Sequence, residues 1–506
     1  VTRQTSKRAR RKQGPRQTTR GAAPAETTVT PRKWGSPVVL VLVANSIVIS
    51  VVAYFSILNR DYELDDALIY YRYFRNFLEG NGLVYNVGEY FNALTSPLYA
   101  YVSLAVCGLF GSIRYPMIAQ SGILLAGAAI VLYAVYSKVE QRWPFVVLGT
   151  ALVAGSRYFY SLYGMETPLF LFLAVLCLWL YERRRLGWLG IAGALLLLTR
   201  GEGLFLVLAL AGVHLLRRRP LPRVRDFVVP ALLIGSNFVF AKLYYGSFLP
   251  HTLMAKMDQG RSGLWGEWPI FLGAGYQVEY FGNSTVLFVA FAVLAVLGIF
   301  RLGKSDLNFV VLSFLAALGV FYVALNVPNY HWYYAPFYCF GCIYAGLGAA
   351  LLFERAGRLK VPALTAIGRT VTVVLALGIL GWSAYATHAS PVSESKRQVE
   401  YRQIGQWLEQ NTPLEATVAM VEVGVIGFYC ERRVVDVLGL VSPKNAESLG
   451  ERRFAEWLES YEPDFIVIHA PPWPHEAGAA LYAQRGVYGI HGAFPFPGYA
   501  LLVRNG

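Results

Sequence analysis

The chain has 506 residues, of which 55% are hydrophobic, 15% aromatic and only 15% charged, with a mean hydropathy of +0.42; this combination excludes an ordinary soluble protein and points to a polytopic membrane protein. The formal charge of +14 is not the footprint of a nucleic-acid partner, because ten of the 45 Lys and Arg crowd into the first 33 residues. The five cysteines form no framework: Cys177, Cys339 and Cys342 lie in apolar runs, while Cys107 and Cys430 fall on the outer side and are close enough in kind to pair.

Residues 1–36, basic and rich in Thr, Pro, Gly and Ala, read as a disordered tail on the cytoplasmic, anionic leaflet. The apolar run 37–58 is long enough to span and no small-residue cleavage site follows it, so it is expected to be a helix and not a signal peptide. Further spans are expected near 117–137, 144–160, 167–181, 187–199, 203–216, 227–245, 284–300, 307–326, 335–353 and 363–386, about eleven in all. The segment 96–111 is short, opens with Ser-Pro and carries Tyr99, Tyr101 and Ser103. If it does not cross, the basic loops at Lys138/Arg142, Arg183–Arg185, Arg217–Arg219, Arg301/Lys304 and Arg355/Arg358/Lys360 all join the basic N-terminus on one side. It is therefore expected to lie in the interface, its aromatic residues at headgroup depth. The same threading makes 37–388 the membrane domain, with an outer loop at 59–116, and puts 389–506 outside. There, "YRQIGQWLEQN" has helical period while "ATVAMVE", "RRVVDVLG", "DFIVIHA" and "GYALLVR" are β-branched runs, which predicts a small soluble α/β domain. The expected fold is thus a polytopic α-helical membrane protein with a C-terminal α/β domain.

Four polar clusters gather on the outer face. Asp65 and Asp66 stand ahead of "ALIYYRYFRNFLEG", whose apolar residues recur at helical spacing, so the pair is expected to open a helix held at fixed height above the lipid. A carboxylate held there can take a proton from a hydroxyl arriving through water. "YSLYGMETPLF" brings Glu166 to the top of a span, and "LTRGEGLF" sets Arg200 and Glu202 at the hydrocarbon border, where ionisable residues are costly and mark function. "YYGSFLPHTLMAKMD" supplies His251 and Lys256, and "NVPNYHWYYAPF" supplies His331 beside Tyr330. Arg200, Lys256, His331 and His251 are the candidates for a donor phosphate; Glu166, Glu202, Tyr330 and Arg72 are candidates for the rest of the substrate. Glu422 and Asp436, each followed closely by Gly, sit as at strand ends where ligands commonly lie.

"DDALIYYRYFRNFLEGNGLVYNVGEYFNALTSPLY", "YGMETPLF", "LTRGEG" and "YYGSFLPHTLMAK", in this order across roughly residues 35–260, resemble the GT-C membrane glycosyltransferases and, within them, the terminal arabinofuranosyltransferases of the mycobacterial cell wall. Gly201 stands where relatives more often have Pro. The resemblance implies a polyprenyl-phosphate sugar donor dissolved in membrane lipid, a glycan or protein acceptor on the outer face, and an acidic general base in the first outer loop, here Asp65 or Asp66, with Asp65 the first choice. No protein-bound cofactor is implied, and the chemistry leaves room for a divalent cation. Transfer of another sugar, such as a hexose or aminoarabinose, is the nearest alternative. A lipid or sugar transporter is the alternative from another class; it would show paired repeats and charges near the midplane, whereas here the acids gather at one face. The external domain is expected to orient the acceptor and to leave the chemistry to the membrane domain.

Overall fold

The structure is a computed structural model that describes residues 37–505 apart from 141, 274, 394 and 443, and apart from the side chains of 37–40 and 276. The basic tail 1–36 lies outside the described residues. Helix α1 (Pro37–Leu58) is followed by α2 (Asp65–Leu78), α3 (Pro97–Phe110), α4 (Arg114–Tyr136), α5 (Trp143–Gly155), the single turn α6 (Arg157–Tyr160), α7 (Thr167–Glu182), α8 (Leu186–Thr199) and α9 (Gly203–Leu216). Then come α10 (Val228–Tyr245), α11 (Thr252–Ser262), α12 (Thr285–Leu302), α13 (Asp306–Leu325), α14 (Ala335–Ala356) and α15 (Pro362–Ala389). Among the described residues seven helices are long and apolar enough to cross a membrane, while α3, α5, α7, α8 and α9 are apolar but shorter.

Two of these differ from the sequence expectation. The span expected at 144–160 breaks at Ser156, whose backbone is extended. The break is stable because hydroxyls take over the freed carbonyls: Thr387 Oγ1 donates to Gly155 O at 2.8 Å, and Tyr160 donates to Ala154 O. Non-helical backbone inside a membrane domain needs such replacement partners. Helix α3 has 14 residues, about 21 Å at 1.5 Å per residue, too short for a 30 Å hydrocarbon core. Its Tyr99 packs inside the protein: it is 1% exposed, with its hydroxyl on Gly164 O at 2.6 Å. Ser103 is likewise buried and accepts a hydrogen bond from Gln120 Nε2 at 2.9 Å. All five cysteines are free and buried, so Cys107 and Cys430 do not pair.

Small residues set the closest helix contacts. A Cβ on Gly348 of α14 would collide with Leu294 O of α12, and one on Gly298 of α12 would collide with Tyr344 O of α14. In lipid, where burying apolar surface gives helices no advantage over their solvent, such backbone approach supplies the packing energy.

After Ala389 the chain forms α16 (Lys396–Asn411), capped by the Ser395/Gln398 box, then β1 (Thr417–Met420), α17 (Val425–Cys430), β2 (Arg433–Asp436), β3 (Phe465–His469), β4 (Tyr488–Ile490) and β5 (Tyr499–Arg504). The sheet order is β2-β1-β3-β5-β4, with β1, β2 and β3 parallel and β5 antiparallel to both β3 and β4. This is the α/β domain the β-branched runs predicted.

The α/β domain docks on α2 by polar contacts to backbone. Arg72, set against substrate in the sequence reading, is instead the buried clamp. Its guanidinium donates to Tyr85 O at 2.8 Å, Arg432 O at 2.6 Å, Asn86 Oδ1 at 3.2 Å and Gly427 O. With four of its five donors taken and 5% of its surface exposed, Arg72 holds chain to chain and does not line the cavity. Glu63 adds a second tie, accepting from Tyr429 at 2.8 Å and Arg402 at 3.2 Å. The side chain of Asn59 accepts from Val392 N at 2.5 Å, fixing the end of α1 to the start of the external chain.

Gly348→Ala is expected to destabilise the protein by roughly 1–3 kcal/mol, the usual cost of overpacking, read as a lower Tm in detergent. Arg72→Lys keeps the charge and loses the fork, so it is expected to cost on the order of 3 kcal/mol from two or more lost charge-assisted bonds. Limited proteolysis of the region after 389 should then accelerate; an unchanged cleavage rate would contradict the clamp.

Candidate functional site

Helix α2 begins at Asp65 because the preceding Leu64 is extended and the two acids complement the positive helix start. Successive residues of a helix point about 100° apart. Asp65 and Asp66 therefore serve different faces.

Asp66 faces a cavity of about 460 Å³ that is also lined by Glu166, Arg200, Glu202, His251, Thr252 and Lys256. Lys256 Nζ lies 3.9 Å from Asp66 Oδ2 and 4.1 Å from the centre of the Tyr330 ring. Arg200 bridges Glu166 at 3.0 Å and Glu202 at 2.8 Å, and Tyr322 donates to Glu202 at 3.1 Å. Burial raises the affinity of Glu166 for a proton, against the pull of Arg200. Two buried polar atoms on this lining, Glu166 Oε2 and Thr252 Oγ1, have no hydrogen-bond partner among the described residues. Orphans of this kind are expensive unless a ligand meets them. Leu249, Leu253 and Met254 also line the cavity, and each is at least half exposed, so apolar surface continues outward from it. Leu440 and Val441 of the external domain close the cavity on another side.

Asp65 faces the external domain. Its Oδ1 accepts from Val425 N at 2.7 Å, and Gly424 lies so close that any side chain there would strike the Asp65 carbonyl. Burial, then the charges of Glu422 and Asp66, push the Asp65 carboxyl well above the usual range. Glu422 is pushed up to about 7, first by burial, although Tyr401 donates to it at 2.9 Å.

Six of the residues singled out in the sequence thus meet at one cavity: Asp66, Glu166, Arg200, Glu202, His251 and Lys256. Three do not. His331 is turned away, its Nε2 3.3 Å from Ser161 O and its ring stacked near Tyr280, because the short turn His331–Tyr334 points Trp332 and Tyr333 at the cavity instead. Tyr330 stays behind Lys256, stacked on Trp332 with its hydroxyl on Gln259. Arg72 is the clamp described above. Arg200, chosen for a phosphate, has a carboxylate on either side, which leaves Lys256 as the less neutralised cation of the lining. Asp436 is consumed in its own loop, accepting from Leu438 N at 2.8 Å and Val441 N at 2.9 Å. It thereby shapes the loop that carries Leu440 and Val441 to the cavity.

The sequence reading missed Thr252, Tyr401, His469 and Glu476. His469 was within reach, since it closes a β-branched run as Glu422 does; Thr252 and Tyr401 give no signal in a single sequence. Among the described residues no group of three or more His, Cys, Asp or Glu side chains gathers as if for a metal ion.

A family model described as a domain of unknown function (DUF8728) matches residues 375–501. The chain is 28% identical over 281 residues to a terminal beta-(1->2)-arabinofuranosyltransferase of Corynebacterium glutamicum, a match covering 48% of this chain and 39% of that protein. The chain thus spans about two fifths of that curated relative. In structure it is similar to the Archaeoglobus fulgidus oligosaccharyltransferase tethered to an acceptor peptide, with a TM-score of 0.59, 15% identity, and coverage of 91% of this chain and 74% of that one. It is also similar to ArnT of Cupriavidus metallidurans bound to undecaprenyl phosphate, with a TM-score of 0.52, 13% identity, and coverage of 92% and 98%. The chain therefore has the GT-C glycosyltransferase fold, and in sequence it is similar to a terminal arabinofuranosyltransferase.

Proposed function

We propose that the protein is an inverting glycosyltransferase that moves a sugar, arabinofuranose by its sequence likeness, from a polyprenyl-phosphate donor to an acceptor hydroxyl on the outer face of the membrane. The observation that carries this reading is the opposite facing of Asp65 and Asp66. Asp66 looks into a cavity with two cations, Lys256 and the carboxylate-bridged Arg200, two unpartnered polar atoms and an apolar exit, which suits a sugar phosphate whose lipid tail leaves along Leu249, Leu253 and Met254. Asp65 looks toward the C-terminal domain, its Oδ1 on Val425 N, and the acceptor is assigned to that side.

In this reading Asp65 takes the proton of the acceptor hydroxyl as its oxygen attacks the anomeric carbon. The bond from that carbon to the phosphate oxygen breaks, and the polyprenyl phosphate leaves with the electron pair. A carboxyl whose proton affinity is raised toward neutrality is the better base of the two, and one paired with a cation is the better stabiliser of the cationic sugar. Lys256 meets the departing phosphate, while Glu166 and Thr252 meet sugar hydroxyls. No step is written through a metal ion, since the nearby carboxylates of Glu166 and Glu202 are engaged by Arg200. The undecaprenyl phosphate held by the ArnT structure supports a lipid-linked donor, and the acceptor peptide tethered in the oligosaccharyltransferase structure supports a separate acceptor. The N-terminus inside and the domain 389–506 outside complete the proposal.

Asp65→Asn is expected to lower turnover by about 10²–10⁴-fold, the contribution of a general base, with donor binding unchanged. Asp66→Asn is expected to lower both turnover and donor affinity, because it alone faces the cavity. Wild-type turnover in Asp65→Asn would remove the base assignment. Mass spectrometry of lipids copurifying with the protein tests the donor: a polyprenyl-phosphate pentose is expected, and a polyprenyl-phosphate hexose in its place would keep the chemistry and change the sugar. Lys256→Ala should weaken binding of a polyprenyl-phosphate analogue by about 10-fold or more, as befits a charge-assisted contact worth roughly 1.5–3 kcal/mol.

A further inference from the structure

Strands β1 and β3 are parallel neighbours, with Ala419 opposite Ile466. Three residues beyond that pair stand Glu422 and His469, so both side chains emerge at the same carboxyl edge of the sheet. Tyr401 of α16 lies between them. Its hydroxyl is 2.9 Å from Glu422 Oε1 and 3.2 Å from His469 Nε2. On the far side, His469 Nδ1 is 2.8 Å from Glu476 Oε1, and Glu476 Oε2 is held by the backbone N–H groups of His469 at 3.1 Å and Trp473 at 2.7 Å. Glu476 is 1% exposed, Tyr401 4% and His469 9%.

Counting hydrogens gives this row its meaning. Three contacts in series, Glu422 to Tyr401, Tyr401 to His469 and His469 to Glu476, need three protons. The Tyr401 hydroxyl supplies one and His469 Nδ1 supplies another. The third sits either on Glu422 or on His469 Nε2, and the hydroxyl between them turns to suit. One proton therefore has two homes, one on each side of Tyr401.

We propose that Glu422, Tyr401, His469 and Glu476 form a proton path that relieves Asp65 of the proton it takes from the acceptor. This rests on the glycosyltransfer reading above. After transfer, Asp65 passes its proton to Glu422. Glu422 gives it to the Tyr401 oxygen while Tyr401 gives its own to His469 Nε2. His469 then holds the extra proton beside the Glu476 carboxylate until it returns along the row to Glu422, the more exposed end, and leaves to water. No bond other than O–H and N–H changes, and Tyr401 ends as it began.

The surroundings suit this use. Glu422 faces Tyr401 and Arg397 from α16, Asp65 and Asp66 from α2, and Glu476 within its own domain, and its raised proton affinity matches a group that holds a proton near neutral pH. His469 faces Tyr401, Glu476, Tyr499 and the neighbouring His475, and its ring is stacked 3.5 Å from Trp473, which fixes its orientation. The proposal departs from the sequence expectation that the external domain leaves the chemistry to the membrane domain.

The test is an infrared titration of the carboxyl stretch on the full-length protein in detergent, with no substrate present, the bands being assigned through Glu422→Gln and Asp65→Asn. His469→Gln and Tyr401→Phe are each expected to move the Glu422 midpoint by about one pH unit, a tenfold change in proton affinity. Tyr401→Phe keeps the ring and its packing, so it serves if His469→Gln fails to fold. In a transfer assay the rate should rise with pH as the base loses its proton. Both variants should displace that rise and lower turnover by about 10-fold, less than the roughly 10²–10⁴-fold of the base itself, with unchanged binding of a polyprenyl-phosphate analogue. An unchanged Glu422 midpoint in both variants overturns the path, whatever the enzyme transfers. A shifted midpoint in a wild-type protein that transfers no sugar upholds the coupling of Glu422 to His469 and overturns the reaction assigned to it.

Discussion

The guanidinium of Arg72 is the contact on which the site depends. It sits near the middle of α2 and reaches three places at once: the strap at Tyr85 and Asn86, the carbonyl of Gly427 in α17, and the carbonyl of Arg432 before β2. A planar fork with five donors can hold three segments in one plane, which a lysine cannot. The same helix starts at Asp65, so the clamp that fixes its middle also fixes the direction of its first turn. Gly427 lies within α17 and Arg432 just beyond it, and the first residue of that helix donates to Asp65. The external domain is thereby set by the same helix that carries the two acids.

From that constraint follows the division between the acids. Adjacent residues at a helix start cannot share a face, and α2 has different neighbours on its two faces. One is the cavity with Lys256 and the Arg200 bridge; the other is the Gly424 loop with Glu422. Burial beside Glu422 pushes Asp65 toward holding a proton, while Asp66 stands beside Lys256. Two chemically identical side chains thus acquire different tasks from position alone. The Arg200 bridge looked in the sequence like an anion site. Its two carboxylates change it into a buried ion triad that holds Gly201 and the start of α9 against the top of α7, and it leaves one oxygen of Glu166 free for a hydroxyl.

Much of this was legible in the sequence for a simple reason. Apolar length, basic loops and acids crowded on one side are one-dimensional signals, and they placed Asp66, Glu166, Arg200, Glu202, His251 and Lys256 on the same face before any of them was seen to meet. The helix beginning at Asp65 followed from its periodicity. What failed was orientation. Arg72 and His331 have the residue types of ligands, but whether a cation meets backbone carbonyls or solvent is decided by chain hundreds of residues away, at Gly427 and Arg432 for Arg72 and at Ser161 for His331. The break at Ser156 was hidden for a similar reason. The residues flanking it are apolar enough to span, and the hydroxyl of Thr387 that permits the break comes from α15.

The least legible part was the external domain's share. Its strands announce an α/β sheet, and a sheet docked beside a membrane enzyme is naturally read as a reader of acceptors. Yet parallel strands present their carboxyl ends together, and here that edge is turned toward α2, so the domain brings Glu422 toward Asp65 and closes the Asp66 cavity with Leu440 and Val441. The match to the family of unknown function spans 375–501, from within α15 through the start of β5. That stretch contains Tyr401, Glu422, Leu440, Val441, His469 and Glu476 together. A unit so composed is not an appendage to the helices but one wall of the cavity, which is complete only where the two parts meet.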